Sequence, residues 1–492
     1  MIGHALQGSL AKARSHPLRI QWEAIHARRS VANEKIAEDW RLARSSGGMG
    51  RIPLGKRRAG VEVWRGMGIS LSELRGGLPA GGLFGGGAWR WSPEPLRLGH
   101  AEAREIMALG HPLTRFQQAC DTLYRRSVAG KLPAWLAELL DEGKPEWLVR
   151  VQRDGGMASR FPQVIRPDLI LTEGGFAMTE LDSVPGGIGV AAWMARAYAK
   201  AGYEVLGGPD GMLEGFKSLL PDGGTVLVSE ESADYRPEME WLTSELGPAW
   251  NVAAAEEYEP DGRALYRFFE LFDWESVPSV KKLAQGSSAG EIRITPPFKP
   301  HLEDKLWLAL LWSPALKKTW EQTLRGNHLK RLHELVPFGW VLDPAPLPPH
   351  AALPRLDAHS WEEVAGFSQK ERQLVLKVSG FHETAWGSRG VFIGHDLPSA
   401  EWARRLRGAL EQSAEQPWIL QEFREGRRVE HPVFREDGTV ETMQGRVRLC
   451  PYFFTDAAGH TGFGGCLATI VPADKKKIHG MSDGVLVPCV IG

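Results

Sequence analysis

The chain has 492 residues, of which 43% are apolar and 24% are charged, and its formal net charge at pH 7 is −1. These are ordinary globular values, and the length suggests about two to four domains or one large composite enzyme. A global electrostatic attraction to nucleic acid is not indicated, and the longest obvious apolar run, Leu306 to Trp312, is too short to cross a bilayer.

The first part of the chain predicts no chemistry. Residues 1–60 are rich in Lys and Arg and predict a basic N-terminal extension that is solvated and partly helical. Residues 61–160 predict a region of helices and loops. Its glycine-rich stretch, 76–90, lacks the strand, helix and Lys-Ser/Thr ending of a phosphate-binding loop, whereas 101–150 has the apolar periodicity of helices.

The next segment, 161–199, contains closely spaced acidic residues. Arg166 and Asp168 begin an apolar stretch, a Glu-Gly-Gly sequence predicts a turn, and the returning stretch ends in Glu180 and Asp182. Because residues two apart on a strand face the same side, a hairpin can return both acids beside Asp168. Three carboxylates with one arginine are costly to bring together unless a cation or a polyphosphate lies among them. The segment is therefore a candidate metal-binding hairpin.

Residues 200–290 alternate between apolar strands and amphipathic helices. After a helix predicted at 188–202, we expect strands at 223–230 and 250–255, a helix at 237–247, and a strand or short helix at 264–272. This alternation is typical of α/β folds, and it predicts a small Rossmann-like unit.

Residues 374–391 predict a strand, a glycine-containing loop and a second strand, with Lys377 in the middle of the first strand. The loop contains Ser379, Gly380, Gly387, Ser388 and Gly390. Backbone N–H groups of such a loop can contact a triphosphate while the lysine neutralises its charge. The alternative is an ordinary hairpin with a buried, paired lysine.

A further apolar strand runs directly into Gln421, Glu422 and Phe423. At such a strand end, backbone groups can contact an adenine edge and a carboxylate can bind ribose hydroxyls, although a solvated strand end has the same sequence pattern.

Alternation along 445–454 places Arg446 and Arg448 on one strand face, where they could stabilise a transferring phosphoryl group or form surface ion pairs. His479 and Asp483 follow near the C-terminal end, and a structural role is the more common one for an isolated histidine.

In this order, the motifs R-P-D…T-E-L-D, L-K-V-S-G…G-S-R-G-V and W-I-L-Q-E-F resemble the circularly permuted ATP-grasp ligases, and in particular the glutathionylspermidine synthetase-like group. In that group the metal-binding hairpin precedes the strands with the ATP lysines. The family pattern is Arg-x-Asp, followed twelve residues after the Asp by Glu and Asn two apart. Arg166, Asp168 and Glu180 keep these positions, while Asp182 replaces the Asn.

The family has a second ATP lysine in an upstream N-K motif. The best candidate is Lys330 in G-N-H-L-K-R, where His328 stands beside Asn327 in place of the expected lysine. The resemblance covers roughly 160–490, and its hairpin is the most specific part.

The resemblance implies an α/β (α+β) ATP-grasp fold in circularly permuted order, with a Rossmann-like pre-ATP-grasp unit at 200–290 and an N-terminal helical extension. Residues 291–492 would form the lysine and hinge subdomains. ATP and Mg²⁺ are the implied cofactors. The metal ligands would be Asp168, Glu180 and Asp182, the nucleotide would contact Lys330, Lys377, the loop residues and Gln421–Phe423, and Arg166, Arg446 and Arg448 would be catalytic.

The implied activity is that of a carboxylate–amine ligase, which forms an amide or peptide bond through an acyl phosphate. The expected substrates are a small-molecule carboxylate and an amine such as an amino acid, peptide or polyamine, without nucleic acid or membrane partners. The scattered cysteines favour a reducing cytoplasm. Two alternatives stay open: a phosphotransferase without an amine acceptor, and a non-catalytic scaffold on an ATP-grasp fold.

Overall fold

The structure is a computed structural model that describes residues 68–85, 89–348, 350–385, 389–475, 477–478 and 484–492. The extension predicted at 1–60, together with Gly387, Ser388, His479 and Asp483, lies outside these residues. The described residues form a mixed α/β structure, as the alternation of strands and helices predicted. Within them, each helix is too short or too polar to span a membrane.

The helices are α1 (Leu71–Gly77), α2 (His100–Met107), α3 (Gly110–Val128), α4 (Ala134–Asp141), α5 (Glu146–Arg153), α6 (Ile188–Lys200), α7 (Gly211–Leu219), α8 (Arg236–Leu246), α9 (Val280–Ala289), α10 (Leu306–Leu310), α11 (Lys317–Thr323), α12 (Asn327–Leu335), α13 (Trp361–Ala365) and α14 (Ser399–Gln412).

The strands are β1 (Leu96–Leu98), β2 (Val164–Thr172), β3 (Gly175–Asp182), β4 (Gly224–Val228), β5 (Trp250–Ala254), β6 (Leu265–Phe268), β7 (Ile294–Thr295), β8 (Gly339–Val341), β9 (Leu374–Val378), β10 (Val391–Ile393), β11 (Trp418–Glu422), β12 (Arg428–Phe434), β13 (Val440–Thr455), β14 (Thr461–Pro472) and β15 (Val485–Ile491).

The large sheet joins the predicted hairpin to the C-terminal part of the chain. Its described strands run in the order β1-β15-β14-β13-β2-β3, and β12 pairs with β13. The β2–β3 hairpin pairs through β2 with β13, so that Arg448 lies opposite Ile170. Helices α3, α6 and α7 pack on this sheet and bury the apolar residues of its long central strands.

The lysine sheet consists of β8 to β11 in the order β10-β9-β11-β8. Its strands are antiparallel, and Leu376 and Val378 of β9 belong to an apolar core that includes residues of α13 and α14. Since successive side chains of a strand point to opposite faces, Lys377 points away from this core. The sequence predicted both strands of the β9–β10 hairpin.

The parallel sheet corresponds to the predicted Rossmann-like unit and has the strand order β5-β4-β6-β7. All five residues of β4 are buried, which is typical of a parallel strand covered on both faces. The segment predicted as a strand or short helix at 264–272 is strand β6, followed by a 3-10 turn at Leu271–Ser276. Strand β7 lies beyond 290, so the sheet extends past the limit predicted for this unit.

Glu238 of α8 connects the parallel sheet to the hairpin. Its buried carboxylate accepts hydrogen bonds from the N–H groups of Gly187 (2.8 Å) and Val190 (3.1 Å) at the start of α6. Burial raises the pKa of this carboxyl to about 7, despite the N–H donors. The contact fixes the chain where it leaves the hairpin, directly behind the acidic residues.

Candidate active site

The register of the hairpin brings its charged residues together. Asp168 pairs with Glu180 across the two strands, and Arg166 pairs with Asp182. Arg166 contacts two of the acids: its Nε lies 3.0 Å from Asp168 Oδ1, and its Nη2 lies 3.0 Å from Asp182 Oδ2. The same guanidinium also donates to the carbonyl of Gly186 at 3.1 Å. Arg166 is therefore held on three sides, which fixes its position beside the acids.

Strand β13 supplies a second arginine to the same carboxylate. Arg448 Nη1 lies 2.9 Å from Asp168 Oδ2, and Cys450 Sγ lies 3.4 Å from Oδ1. Burial favours the neutral acid, but Arg166 and Arg448 hold the pKa of Asp168 below its ordinary value. Burial raises the pKa of the Cys450 thiol to about 12, so this cysteine stays protonated and is unsuited to nucleophilic catalysis.

The other two acids of the hairpin differ from Asp168. Burial and the neighbouring Glu180 raise the pKa of Asp182, although Arg166 opposes the shift. One oxygen of Asp182 also accepts the N–H of Val184 at 2.8 Å. Glu180 is more exposed than either aspartate and contacts a lysine from outside the hairpin. The hairpin thus presents one carboxylate that is firmly ionised and two whose charge is only partly balanced.

Lys377 extends from the lysine sheet toward the hairpin. Its Nζ donates to the carbonyl of Thr179 at 2.8 Å and to Oε1 of Gln421 at 2.7 Å. Both partners are neutral, and the side chain is buried. Burial lowers the pKa of Lys377 to about 8, against the attraction of Glu180. A buried ammonium with neutral partners would gain a large electrostatic stabilisation from an anion.

Lys305, which precedes α10, is a second buried lysine that the sequence interpretation missed. Its Nζ lies 2.8 Å from Glu180 Oε1 and donates to the carbonyl of Ala385 at 3.1 Å. Burial opposes its charge, but Glu180 raises the pKa of Lys305 above the ordinary value. The sequence did contain a signal for Lys305. The pair Asp304-Lys305 stands directly before the apolar run and has Asp where the N-K motif has Asn. The same replacement of Asn by Asp occurs at Asp182.

Most of these groups line one cleft between the large sheet and the lysine sheet, with about 810 Å³ of empty volume including its open mouth, while Arg166 and Asp182 lie next to its acidic residues. The central cleft is lined by Asp168, Ile170, Thr179, Glu180, Lys305, Pro337, Val375, Lys377, Val391, Ile393, Gln421, Glu422, Phe423, Arg424, Gly426, Arg448, Lys477 and Ile478. The charged residues of the hairpin, β13 and the two lysines meet at one end. Val375, Ile393 and Phe423 form a mainly apolar end, which the charged Glu422 and Arg424 border. A charged end and a mainly apolar end suit a ligand with a polyanionic tail and a flat, weakly polar body.

The predicted hinge residues line the apolar end of the central cleft. Gln421 connects them to Lys377 through its amide oxygen, and its Nε2 donates to the carbonyl of Pro337 at 3.3 Å. The carboxylate of Glu422 forms ion pairs with Arg355 at 3.1 Å and Arg424 at 2.8 Å. The Glu422 carboxylate is thus fixed at the edge of the central cleft.

Several predicted site residues lie elsewhere. Lys330 lies on α12 with 77% of its side chain exposed, and its nearest carboxylate, Glu334, is 3.8 Å away on the same helix. The structure therefore does not bring Lys330 to the central cleft, whereas Lys305 lines it. Arg446 points to Glu425, at 2.7 Å, rather than to Asp168. It lies two residues from Arg448 but contacts a different carboxylate.

The described part of the predicted phosphate loop also faces away from the central cleft. Ser379 is fully buried, and its hydroxyl donates to Asp304. A Cβ on Gly380 would lie 2.3 Å from the carbonyl oxygen of Glu303, so glycine is required there by close packing against another segment. Gly390 donates its N–H to the carbonyl of Thr384 at 2.6 Å within the loop. None of the three residues lines the central cleft, and their direct contact with phosphate stays a prediction.

The carboxylates of the hairpin have the oxygen donors that Mg²⁺ prefers. Among the described residues, however, no three His, Cys, Asp or Glu side chains form a closed metal site. The reason is that both oxygens of Asp168 and both of Asp182 already contact a donor, and Glu180 contacts Lys305. Mg²⁺ usually takes only one or two protein carboxylates together with substrate phosphates and water. The donor set therefore fits a magnesium ion that enters with a nucleotide, not a resident one.

A larger cavity of about 1,560 Å³ lies on the other side of β8. Aromatic and apolar side chains, among them Trp312, Phe338 and Trp340, and several prolines dominate its lining. Its charged residues do not include the lysines and arginines that converge on the hairpin. The smaller central cleft, where the charged groups meet, is therefore the better candidate for chemistry.

Comparison with known proteins gave matches among solved structures only. No protein-family model and no curated protein matches the chain. The chain is similar to a glutathione synthetase-like effector from Globodera pallida in its apo form, with a TM-score of 0.49 and 11% identity over 82% of this chain and 90% of that one. It is also similar to a putative gamma-glutamylcysteine synthetase from Methylobacillus flagellatus, with a TM-score of 0.34 and 12% identity over 74% and 83% of the two chains.

A third solved structure is carboxyaminoimidazole ribonucleotide synthase from Aspergillus clavatus complexed with ATP, with a TM-score of 0.21 and 13% identity over 53% of this chain and 62% of that one. TM-scores below 0.5 are too low to establish a shared fold, and identities below 15% carry no functional inference. The function proposed next therefore rests on the residues of the central cleft.

Proposed function

We propose that the protein is an ATP- and Mg²⁺-dependent carboxylate–amine ligase that forms an amide or peptide bond through an acyl phosphate. One observation carries the proposal: two buried lysines from different segments line the same cleft as Arg448 and Asp168, and Arg166 pairs with that aspartate. The substrates would be a small carboxylic acid and an amine, such as an amino acid, a peptide or a polyamine.

The charge balance of the cleft supports a triphosphate as the ligand. Lys377 has only neutral partners, and Lys305 has a single carboxylate partner that is itself partly exposed. Phosphate oxygens between these two lysines would satisfy both ammonium groups in a site of low dielectric, where each contact is stronger than in water. The apolar end, bounded by Val375 and Phe423, would then hold the adenine, with Glu422 near the ribose.

The reaction has two steps. In the first, an oxygen of the substrate carboxylate bonds to the γ-phosphorus while the bond from that phosphorus to the bridging oxygen breaks, and ADP leaves. In the second, the uncharged amine attacks the acyl carbon, the carbon–oxygen bond to phosphate breaks, and the nitrogen releases a proton. Both steps depend on in-line positioning and on neutralisation of negative charge rather than on covalent catalysis by the protein.

The residues of the cleft have distinct roles in these steps. Lys305 and Lys377 would bind the phosphates and offset the charge that moves to ADP. Arg166 and Arg448, held by Asp168, would lie near the transferring phosphoryl group and the tetrahedral oxyanion of the second step. Glu180 and Asp182, with Asp168 beside them, are the carboxylates that would hold Mg²⁺, which supplies charge neutralisation on the phosphates.

A product screen tests the proposal. The purified protein would be incubated with Mg·ATP and pooled amino acids, peptides and polyamines, and products would be detected by mass. A ligase forms ADP, phosphate and a new amide in equal amounts. ADP with a stable phosphoester would instead identify the alternative phosphotransferase. Failure to bind Mg·ATP in a calorimetric titration would contradict both the ligase and the phosphotransferase and leave a non-catalytic scaffold. The pairing of the carboxylates with donors of the protein itself favours this third possibility.

A further inference from the structure

A buried group of three polar side chains lies behind the two lysines of the central cleft. It consists of Lys144 from the α4–α5 connection, Asp304 and Ser379, and we call it the Asp304 cluster. Lys144 Nζ lies 3.0 Å from Asp304 Oδ2, and 1% of each side chain is exposed. The hydroxyl of Ser379 donates to Asp304 Oδ1 and accepts the N–H of Leu306 at 3.1 Å.

The Asp304 cluster joins the chain segments that carry the two lysines. Lys305 lies between Asp304 and Leu306, whose N–H also donates to Asp304 Oδ1 at 3.1 Å. Ser379 follows β9 and is two residues from Lys377. The hydrogen bonds of Asp304 and Ser379 therefore run between a neighbour of one lysine and a neighbour of the other, or within the turn that presents Lys305, while Lys144 adds a contact from a third segment.

Close packing of the backbone reinforces this connection. The space for a Cβ at Gly380 is taken by the carbonyl of Glu303, so the two segments are in backbone contact. Lys305 itself donates to the carbonyl of Ala385, which belongs to the loop that begins at Ser379. In addition, the N–H of Ser379 donates to the carbonyl of Pro417 at 2.9 Å, just before the strand that ends in the hinge. The serine thus connects its own strand to two other segments, the turn before α10 and the start of β11.

From this geometry we propose that Asp304 and Ser379 are positioning residues that set the distance between Lys305 and Lys377, and that this distance determines the affinity for the triphosphate. The proposal rests on the proposed function. It assigns no contact with the nucleotide to either residue, because both are buried and neither lines the central cleft. Lys144 supplies the counter-charge without which a buried Asp304 carboxylate would be strongly destabilising.

The proposal makes a selective prediction. The Asp304 cluster, which fixes the distance between the lysines, should affect the binding of phosphate groups but not of adenine or ribose, which would bind at the hinge residues. Ser379→Ala is therefore expected to raise the Kd for the magnesium complex of the non-hydrolysable analogue AMP-PNP about 10-fold, while the Kd for AMP changes by less than about 2-fold. A residue that merely supports the fold would weaken both ligands equally and would lower the Tm.

A second pair of variants keeps the test independent of folding. Lys144→Met with Asp304→Ala removes both buried charges at once, so no unpaired charge remains, and it should reproduce the selective loss. Lys144→Met with Asp304→Asn retains an acceptor oxygen for Ser379 and Leu306, and it should recover most of the affinity. Ser413→Ala is the matched control, since that buried hydroxyl only donates to the carbonyl of Leu410 at 2.7 Å within its own helix end.

Calorimetric titration of the full-length wild type and of these variants decides the matter. A selective loss in Ser379→Ala and in the Met/Ala double variant, with recovery in the Met/Asn variant, supports the proposal. Equal losses for AMP-PNP and AMP, or a Ser379→Ala protein that binds like Ser413→Ala, overturns it. If the wild type itself does not bind the AMP-PNP complex, that result contradicts the proposed function. A wild type that binds, with variants that show no selective loss, contradicts only the positioning role.

Discussion

The two sides of the central cleft balance their charges in different ways. On the hairpin side, Asp168 has two arginine partners at 3.0 and 2.9 Å, so opposite charges neutralise one another within the protein. On the side of the lysine sheet, Lys377 donates only to neutral oxygens at 2.7 and 2.8 Å. The charge of Asp168 is therefore balanced without a ligand, whereas Lys377 gains most from an added anion. This difference is the basis for placing phosphate against the lysines.

The largest expected effect follows from breaking the hairpin side. Asp168→Asn should lower kcat for ATP-dependent ligation by about 10³-fold, or about 4 kcal/mol. The same change should lower the free energy of unfolding by about 3–5 kcal/mol, because Arg448 loses its buried counter-charge and Arg166 keeps only Asp182.

Steady-state kinetics and chemical denaturation measure these two effects. The control is Glu173→Gln, which makes the same chemical change at the exposed turn of the same hairpin. A folded Asp168→Asn protein that retains wild-type turnover would show that this carboxylate has no role in the reaction.

The next largest effect concerns the choice between two lysines. Lys305→Met should raise the Kd for Mg·AMP-PNP about 10²-fold, equal to about 2.7 kcal/mol. Lys330→Met should leave the Kd within about 2-fold and the free energy of unfolding within about 0.5 kcal/mol, since an exposed i,i+4 pair contributes little. Calorimetry on both variants measures the contrast. If Lys330→Met weakened nucleotide binding more than Lys305→Met, then Lys330 on α12 would be the second ATP lysine.

A pH dependence follows from the lysine side. The pKa of Lys377 in the free protein is about 8, below its ordinary value because the side chain is buried. Above that pH the ammonium loses its proton, so the Kd for Mg·AMP-PNP should rise up to about 10-fold per pH unit. Over the same range the free protein binds fewer protons than the unfolded chain, and the Lys377 contribution to stability therefore increases with pH.

Affinity measured between pH 6.5 and 9.5 tests this dependence. Lys377→Met should bind weakly without a break near pH 8. Lys299→Met is the matched control, because burial also lowers the pKa of Lys299 to about 8, but Lys299 pairs with Asp121 outside the cleft. If the rise in Kd near pH 8 persists in Lys377→Met and disappears in Lys299→Met, then Lys299 rather than Lys377 is the titrating group, and the prediction is wrong.

The smallest effects separate the two arginines of β13. Arg448→Met should lower kcat about 10- to 100-fold with little change in the Kd for nucleotide, because this side chain holds Asp168 and borders the cleft. Arg446→Met should change kcat by less than about 3-fold, since its partner is Glu425. Single-turnover kinetics distinguishes the chemical step from binding. Equal effects of the two substitutions would indicate a shared structural role of the strand.

Local spacing was enough to predict the hairpin. Arg166, Asp168, Glu180 and Asp182 lie on one face because a strand has a period of two, and a glycine turn returns the chain in register. The same period placed Lys377 opposite the core of its sheet. The parallel sheet followed from the alternation of strands and helices. Each of these three features depends on residues that are close together in sequence, so the local sequence pattern is enough to predict it.

The contacts that were not predicted depend on distant parts of the chain, and one residue of the site, Lys305, was missed. Arg448 reaches Asp168 across 280 positions, because β13 pairs with β2, and the sequence around either residue does not specify that pairing. Lys305 lies in the turn before α10, and a single Asp–Lys pair in the sequence was too short a motif to predict a nucleotide-binding lysine there. Ser379 was expected at the phosphates because its loop contains glycines, yet Asp304 takes its hydroxyl in the interior.

In the proposed mechanism, ATP activates a carboxylate in this cleft through an acyl phosphate. The most direct measurement supplies pooled amino acids and peptides with ¹⁸O-labelled carboxyl groups, together with Mg·ATP and hydroxylamine as the amine. Mass spectrometry then follows the label. The proposed mechanism predicts a hydroxamate and one ¹⁸O atom transferred to the released phosphate, with loss of both in Asp168→Asn. Hydroxamate formation with unlabelled phosphate, or ATP hydrolysis without transfer of ¹⁸O, would contradict it.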